Sequence, residues 1–179
     1  TRPIADLDAY RQSLERFVYR TGFVMRPTFE RAKRRPMRLI YAEGEDERVL
    51  RAAQIVLDEK LAQPTLIGRR AVVESRIARL GLRLKLGGNI ELIDPERDDR
   101  YHEYWTGYLA LMQRKGVAPD DARTIIRTNT SVIAAMAVQR GEADAMLCGA
   151  VGQYDQHLPH IVDVLGLRPI LVVVERCIA

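Results

Sequence analysis

Cysteine, aromatic residues and long apolar runs are scarce in this chain, and each scarcity removes a class of protein. Two cysteines, Cys148 and Cys177, in 179 residues make neither a disulfide framework nor a metal-ligand spacing, which suits a reducing cytoplasm. No apolar stretch approaches the roughly 18 residues that a bilayer-spanning helix needs. The opening Thr1-Arg-Pro-Ile-Ala-Asp-Leu7 has no apolar core of a signal peptide, so no membrane partner is expected. Aromatics make up 6% of the chain and are not interleaved with its densest basic stretch, Arg31 to Arg35. That stretch therefore reads as a solvated helix end, and no nucleic-acid partner is expected. Internal repeats and low-complexity linkers are also missing. The chain begins without Met at a helix-like segment and stops just after an apolar strand, so it is expected to be a piece of a longer protein.

What is present is ordinary globular material. Hydrophobic residues make up 47% of the chain, enough for one sizeable core, and the length favours one domain with an appendage. The 28 Lys and Arg against 24 Asp and Glu give a net charge of +4 and a pI near 9.3, a mild bias toward anionic partners.

Asp6, a good N-cap, precedes Leu7, Tyr10, Leu14, Phe17 and Val18, whose spacing predicts a helix over 6–20 ended by Gly22. Met25, Phe29 and Ala32 suggest a second short helix stopping before Pro36. Residues 1–35 thus read as a helical arm, and 36–179 as the main body. In that body, strands are predicted at 37–42, 64–68, 90–93, 145–148 and 170–174. Helices are predicted at 46–59, with Val49, Leu50, Ala53, Ile55, Val56 and Leu57 on its apolar side, 71–80 ended by Gly81, about 98–115 stopped by Gly116, 119–127, 131–140 and 155–165. Alternation of this kind implies an α/β fold, a mostly parallel sheet covered on both faces, with ligands outside the carboxyl ends of its strands.

That edge holds the candidate site residues. The apolar strand 145–148 opens into Gly149-Ala-Val-Gly152-Gln-Tyr154, where two glycines three apart allow a ligand to approach the backbone. The helix that follows offers N–H groups to an anion, and Gln153 and Tyr154 can hydrogen-bond or stack. Arg127-Thr-Asn-Thr-Ser131 is a second polar lip of the same cleft, with Asn129 and Ser131 as candidates, although capping by Asn129 or Thr130 is the stronger reading there. Glu43-Gly-Glu-Asp-Glu-Arg48 could supply acid–base or cation-binding carboxylates, but acids at a helix start more simply cap N–H groups. His102, His157 and His160 lack metal-ligand spacing, and Ser13, Ser75 and Ser131 lack a nucleophile elbow. Cys148 reads as a small buried hydrophobe.

Tyr41-Ala-Glu-Gly-Glu-Asp-Glu-Arg-Val49, Pro64-Thr-Leu-Ile-Gly68, Ile93-Asp-Pro95 and Gly141-Glu-Ala-Asp-Ala-Met-Leu-Cys-Gly149 occur here in an order that resembles the amino-terminal part of the phosphate acetyltransferase/butyryltransferase family. Arg2 to Tyr10, Phe17 to Arg20 and Gly149 to Asp155 narrow the resemblance to the carboxy-terminal module of large bacterial NADP-dependent malic enzymes, over residues 1 to about 169. The resemblance implies the first half of a three-layer, isocitrate-dehydrogenase-like module of phosphotransacetylase type. It also implies an acyl-CoA cleft at Gly149, Gly152, Gln153, Tyr154, Asn129 and Ser131, and a role in acetyl-CoA sensing and homo-oligomerisation beside upstream malic-enzyme domains. NADP and a divalent metal, Mg or Mn, belong by this resemblance to the parent, and no cofactor to this segment. The family's catalytic Ser, Arg and Asp fall in a second half that is not in this sequence, so no catalytic residue is expected here. Pro159 stands where relatives place an Arg, and residues 170–179 fall outside the resemblance.

Overall fold

The computed structural model describes residues 20–166; the expected helix at 6–20, for all but its last residue, and the expected strand at 170–174 lie outside them. The first helix, α1 (Arg20–Arg34), runs through Gly22, which was expected to end it. A helix-interior glycine costs only about 1 kcal/mol relative to alanine, and the same helix also carries Pro27 in its interior. The helix does stop before Pro36, as expected, since the residue ahead of a proline is pushed out of the α region. From residue 25 onward α1 is almost wholly exposed, with Met25 and Phe29 facing solvent and Lys33 reaching Glu59 at 2.8 Å.

Among the described residues four parallel strands follow: β1 (Met37–Tyr41), β2 (Ala62–Ile67), β3 (Glu91–Ile93) and β4 (Ala145–Leu147), in the order β3-β2-β1-β4. Between them lie α2 (Glu47–Asp58), α3 (Arg70–Leu80), α4 (Tyr101–Met112), α5 (Pro119–Thr128) and α6 (Thr130–Gln139), and α7 (Tyr154–Leu165) follows β4. Pro64 is tolerated inside β2 because β3 pairs only with Thr65 to Ile67. At Pro64, β2 has a neighbour on one side alone, and a missing N–H breaks little of the ladder.

Successive strand residues point to opposite faces, and this divides the core in two. Ile40 and Ile67 pack with Tyr104, Tyr108, Ile126, Ile133 and other residues of α4, α5 and α6, while Tyr41 and Leu66 pack with Val49, Leu50, Val73 and Ile77 of α2 and α3. The result is the expected three-layer α/β arrangement. Helix α6 is buried on every side from Ser131 to Ala137, as a helix apolar all round must be. Two expectations fail at the surface. Ile55, assigned to the apolar side of its helix, is 60% exposed, because at 100° per residue it lies well round the helix from Leu50. β4, read as an apolar strand of a sheet covered on both faces, has Leu147 51% exposed, and among the described residues it pairs with β1 alone, at the edge.

A long-range ion pair pins that edge. Arg38 Nη2 lies 2.7 Å from Asp144 Oδ1 and the Arg38 backbone N–H donates to Oδ2 at 2.8 Å. These bonds hold the Asp144 carboxyl at about 2, below its ordinary 3.8. A depressed carboxylate stabilises the fold above its unfolded value and loses that contribution as pH falls through its folded value. The stability gap between the wild type and Asp144→Asn should therefore be full above about pH 4 and close as pH drops through about 2. Urea denaturation across this range checks it, and a gap that does not change with pH would contradict it.

Candidate functional site

In chain order β2 and β3 add to one side of β1 and β4 to the other, so the sheet changes direction between β1 and β4. Crevices at such switch points, outside the strand carboxyl ends, are where open α/β sheets take ligands. Here the switch point is bridged: the Gly149 N–H donates to Glu43 Oε1 at 2.8 Å, and the Ala42 N–H to the Leu147 carbonyl at 2.9 Å. Beside this bridge a cleft of about 540 Å³ opens over the ends of β1, β2 and β3. Its floor includes Ala42, Ile67 and Gly68, its basic residues are Arg69, Arg76 and Arg127, and Val151 projects from the glycine turn as one wall.

The acidic run after β1 divides its tasks. Glu43 holds Gly149. Asp46 caps α2 by accepting the Arg48 N–H at 2.8 Å. Glu45 takes two bonds from the Arg69 guanidinium, both at 2.9 Å, which hold its carboxyl below the usual range despite partial burial. Arg48 pairs with Asp46 at 3.0 Å and also donates to the Ala150 carbonyl, so the capping residue of α2 and the glycine turn share one guanidinium. The expected structural use of these acids therefore extends to bracing the turn.

The turn itself is held from its far side. His157 Nε2 lies 2.8 Å from the Val151 carbonyl, an atom that can only accept, so in the neutral ring Nε2 carries the proton. Nδ1, 2.7 Å from Ser131 Oγ, then accepts from that hydroxyl. Ser131 is 1% exposed, the one buried polar side chain among the described residues, and this bond satisfies it. Asn129 is the N-cap of α6, accepting the Ser131 and Val132 N–H groups at 3.1 and 3.2 Å.

The structure thus distributes the six candidate residues. Gly149, Gly152, Gln153 and Tyr154 lie together on the exposed turn and the start of α7, Asn129 spends its side-chain oxygen as a cap, and Ser131 is buried behind the turn. None of the six lines the cleft; their neighbours Val151, Arg127, Thr128 and Thr130 do. Sequence reasoning passed over Glu43 and His157 as contributors to the turn. The available signal was Ser131 itself, a lone hydroxyl in a run of small apolar residues that needs a partner. Cys148 is half-buried, and its thiol is pushed up by burial and by the Glu43 charge. His102 packs edge-on against Trp105 at 5.3 Å. Among the described residues no group of three or more His, Cys, Asp or Glu side chains is placed to hold a metal ion, and no helix is long and apolar enough to cross a membrane.

A parallel sheet between helical layers defines an α/β protein, with a cleft over its strand ends. Residues 23–176 match the phosphate acetyl/butaryl transferase family, and the chain belongs to that family. The match reaches into the stretch after 169 that was expected to fall outside it. The chain is 53% identical over 169 residues to an NAD-dependent malic enzyme of Rhizobium meliloti and 47% identical over 168 residues to the NADP-dependent malic enzyme of Escherichia coli. Each alignment covers 94% of this chain and 22% of the relative, so the chain spans about a fifth of the length of these proteins. The EutD phosphotransacetylase of Staphylococcus aureus has the same fold, with a TM-score of 0.71, 23% identity, and coverage of 83% of this chain and 44% of that one.

Gly149 and Gly152 both have φ of +91°, which L side chains rarely adopt. A Cβ at Gly149 would meet nothing within 4 Å, whereas one at Gly152 would lie 2.9 Å from His157 Nε2. Gly149→Ala should therefore cost about 1 kcal/mol of backbone strain and Gly152→Ala about 2 to 3 kcal/mol, through displacement of the histidine as well. Chemical denaturation of the two variants separates these values, and equal costs would show that His157 does not hold the turn.

Proposed function

We propose that this chain is a regulatory and oligomerisation module of a malic enzyme, sensing acetyl-CoA or a related acyl-CoA and carrying out no bond chemistry of its own. The observation that carries this reading is 53% and 47% identity to malic enzymes over 94% of the chain. The parent reaction is then the oxidative decarboxylation of malate to pyruvate, with NADP as coenzyme as in the name of the E. coli relative, although the R. meliloti relative is named for NAD. Upstream domains would hold that coenzyme and the divalent metal, Mg or Mn. The cleft over β1, β2 and β3 would receive the acyl-CoA, with Gly149, Gly152, Gln153 and Tyr154 forming the turn at its wall, Asn129 capping the helix that follows the opposite lip, and Ser131 supporting the turn through His157. The exposed Met25 and Phe29 of α1 support an assembly role for the arm at 1–35 beside the body at 36–179, and a cytoplasmic setting accords with the sparse cysteine.

For such a module to regulate, acyl-CoA must bind one conformation of the parent more tightly than another, because a ligand shifts an equilibrium only by its differential affinity. In this reading the glycine turn passes that preference onward: Glu43 and Arg48 tie it to β1 and α2, and His157 ties it to α6 and α7. Calorimetric titration of the full-length protein should show acetyl-CoA binding, while a matched nucleotide without the acyl-pantetheine arm binds at least about tenfold more weakly. Equal or absent binding would count against the sensor.

A second reading, acetyl transfer between CoA and phosphate, draws support from the family description and from the S. aureus phosphotransacetylase neighbour. Release of free CoA thiol from acetyl-CoA and phosphate separates the two: sustained turnover favours the transferase, and binding without turnover favours the sensor.

A further inference from the structure

Three arginines line the cleft, and their engagements differ. Arg69 is neutralised by Glu45 through two hydrogen bonds, and Arg76 donates to the Glu45 carbonyl. The side chain of Arg127, in the last turn of α5, makes no hydrogen bond or ion pair with any described residue. Its guanidinium carbon lies 4.6 Å from the centroid of the Tyr101 ring, and that ring is itself fixed, because the Tyr101 hydroxyl donates to the Arg123 carbonyl at 3.1 Å. The stack and the negative end of the helix dipole account for where the cation sits. Neither uses its in-plane N–H donors, and these form a rigid fork matched to phosphate.

Most acids of the cleft do not compete for that fork. Glu43 is occupied by Gly149, Glu45 by Arg69 and Asp46 by the α2 cap and Arg48. Glu96 also lines the cleft and acts electrostatically on Arg69. Thr128 and Thr130 flank Arg127 on the cleft wall. Arg123, one turn earlier, is a natural control. It stacks on Trp105 at 4.5 Å in the same way, yet it pairs with Asp120 at 2.9 Å and does not line the cleft.

We propose that Arg127, held edge-free on Tyr101, is the anion anchor of the cleft and takes a phosphate group of the ligand. Resting on the acyl-CoA reading, that group is a phosphate of the CoA nucleotide end, and the acyl-pantetheine arm runs from it toward Val151 and the glycine turn. Inorganic phosphate offers the same chemistry and is the other source that the site could meet.

The test is calorimetry on the full-length protein, wild type against Arg127→Gln and Arg123→Gln, with acetyl-CoA, acetyl-pantetheine and inorganic pyrophosphate as separate probes. Both arginines are exposed, so the variants should fold, and circular dichroism confirms it. Arg127→Gln should weaken acetyl-CoA binding about tenfold or more and leave acetyl-pantetheine unchanged, and Arg123→Gln should change neither. Acetyl-CoA binding that Arg127→Gln leaves intact, or that falls together with acetyl-pantetheine binding, overturns the anchor and leaves the acyl-CoA reading standing. Pyrophosphate binding that needs Arg127, in a protein that ignores acetyl-CoA, keeps the anchor and removes the acyl-CoA reading. Binding of none of the three probes removes both.

Discussion

The hydrogen bond from the Gly149 N–H to the Glu43 carboxylate, 2.8 Å long, joins the ends of the two strands between which the sheet reverses its direction of growth. Without it β4, a strand of three residues that among the described residues pairs with β1 alone, would be tied at its carboxyl end by the Ala42–Leu147 backbone bond and by Arg48 on the Ala150 carbonyl. The bond acts in a place where backbone N–H groups are scarce in partners, since a turn at φ of +91° belongs to neither strand nor helix. An ionised acceptor there is worth more than a neutral one, as hydrogen bonds to charged groups are the stronger class. The position of Val151 on the cleft wall follows from it.

The same turn is clamped from the helical layer. α6 is enclosed by α4, α5, α7 and the sheet, and a buried helix of small residues is a rigid reference body at native packing density. Its single buried polar side chain, Ser131, passes that rigidity through His157 to the Val151 carbonyl. A ligand pressing on the turn would meet two ties, one to the sheet and one to the buried helix. This gives a physical route by which occupancy of the cleft could be felt in α7, the element that leads on from the described residues. Coupling of that kind needs an element with two arrangements, and the glycine turn is the place where the backbone permits one.

Much of the fold was legible because it depends on local chemistry. Asp46 announced the start of α2, Gly81 the end of α3 and Gly116 the end of the helical stretch that begins with α4, while the periodicity of 46–59 and 131–140 located helices to within a residue or two. What was not legible depends on contacts between distant segments. No local pattern tells that β4 lies beside β1 at the edge of the described sheet, so the exposure of Leu147 in an apolar strand was not foreseen. Gly22 resembled a stop because glycine often is one, yet its penalty is smaller than the gain from continuing the helix. In the site, the glycine turn was identified by its backbone freedom, but its supports, Glu43 and His157, lie 106 and 6 residues from the atoms they bind. Ser131 was identified as polar and near the cleft. Its burial, and its commitment to His157 rather than to a ligand, came only with the packing of α6.

The account rests on an acyl-CoA occupying the cleft over β1, β2 and β3. Hydrogen–deuterium exchange of the full-length protein with and without saturating acetyl-CoA tests this most directly. Slowed exchange is expected in the backbone at 43–46, 67–69, 127–130 and 149–152, the segments that meet at the cleft. Exchange unchanged in all four segments, or protection confined to parts of the protein outside this module, would contradict it.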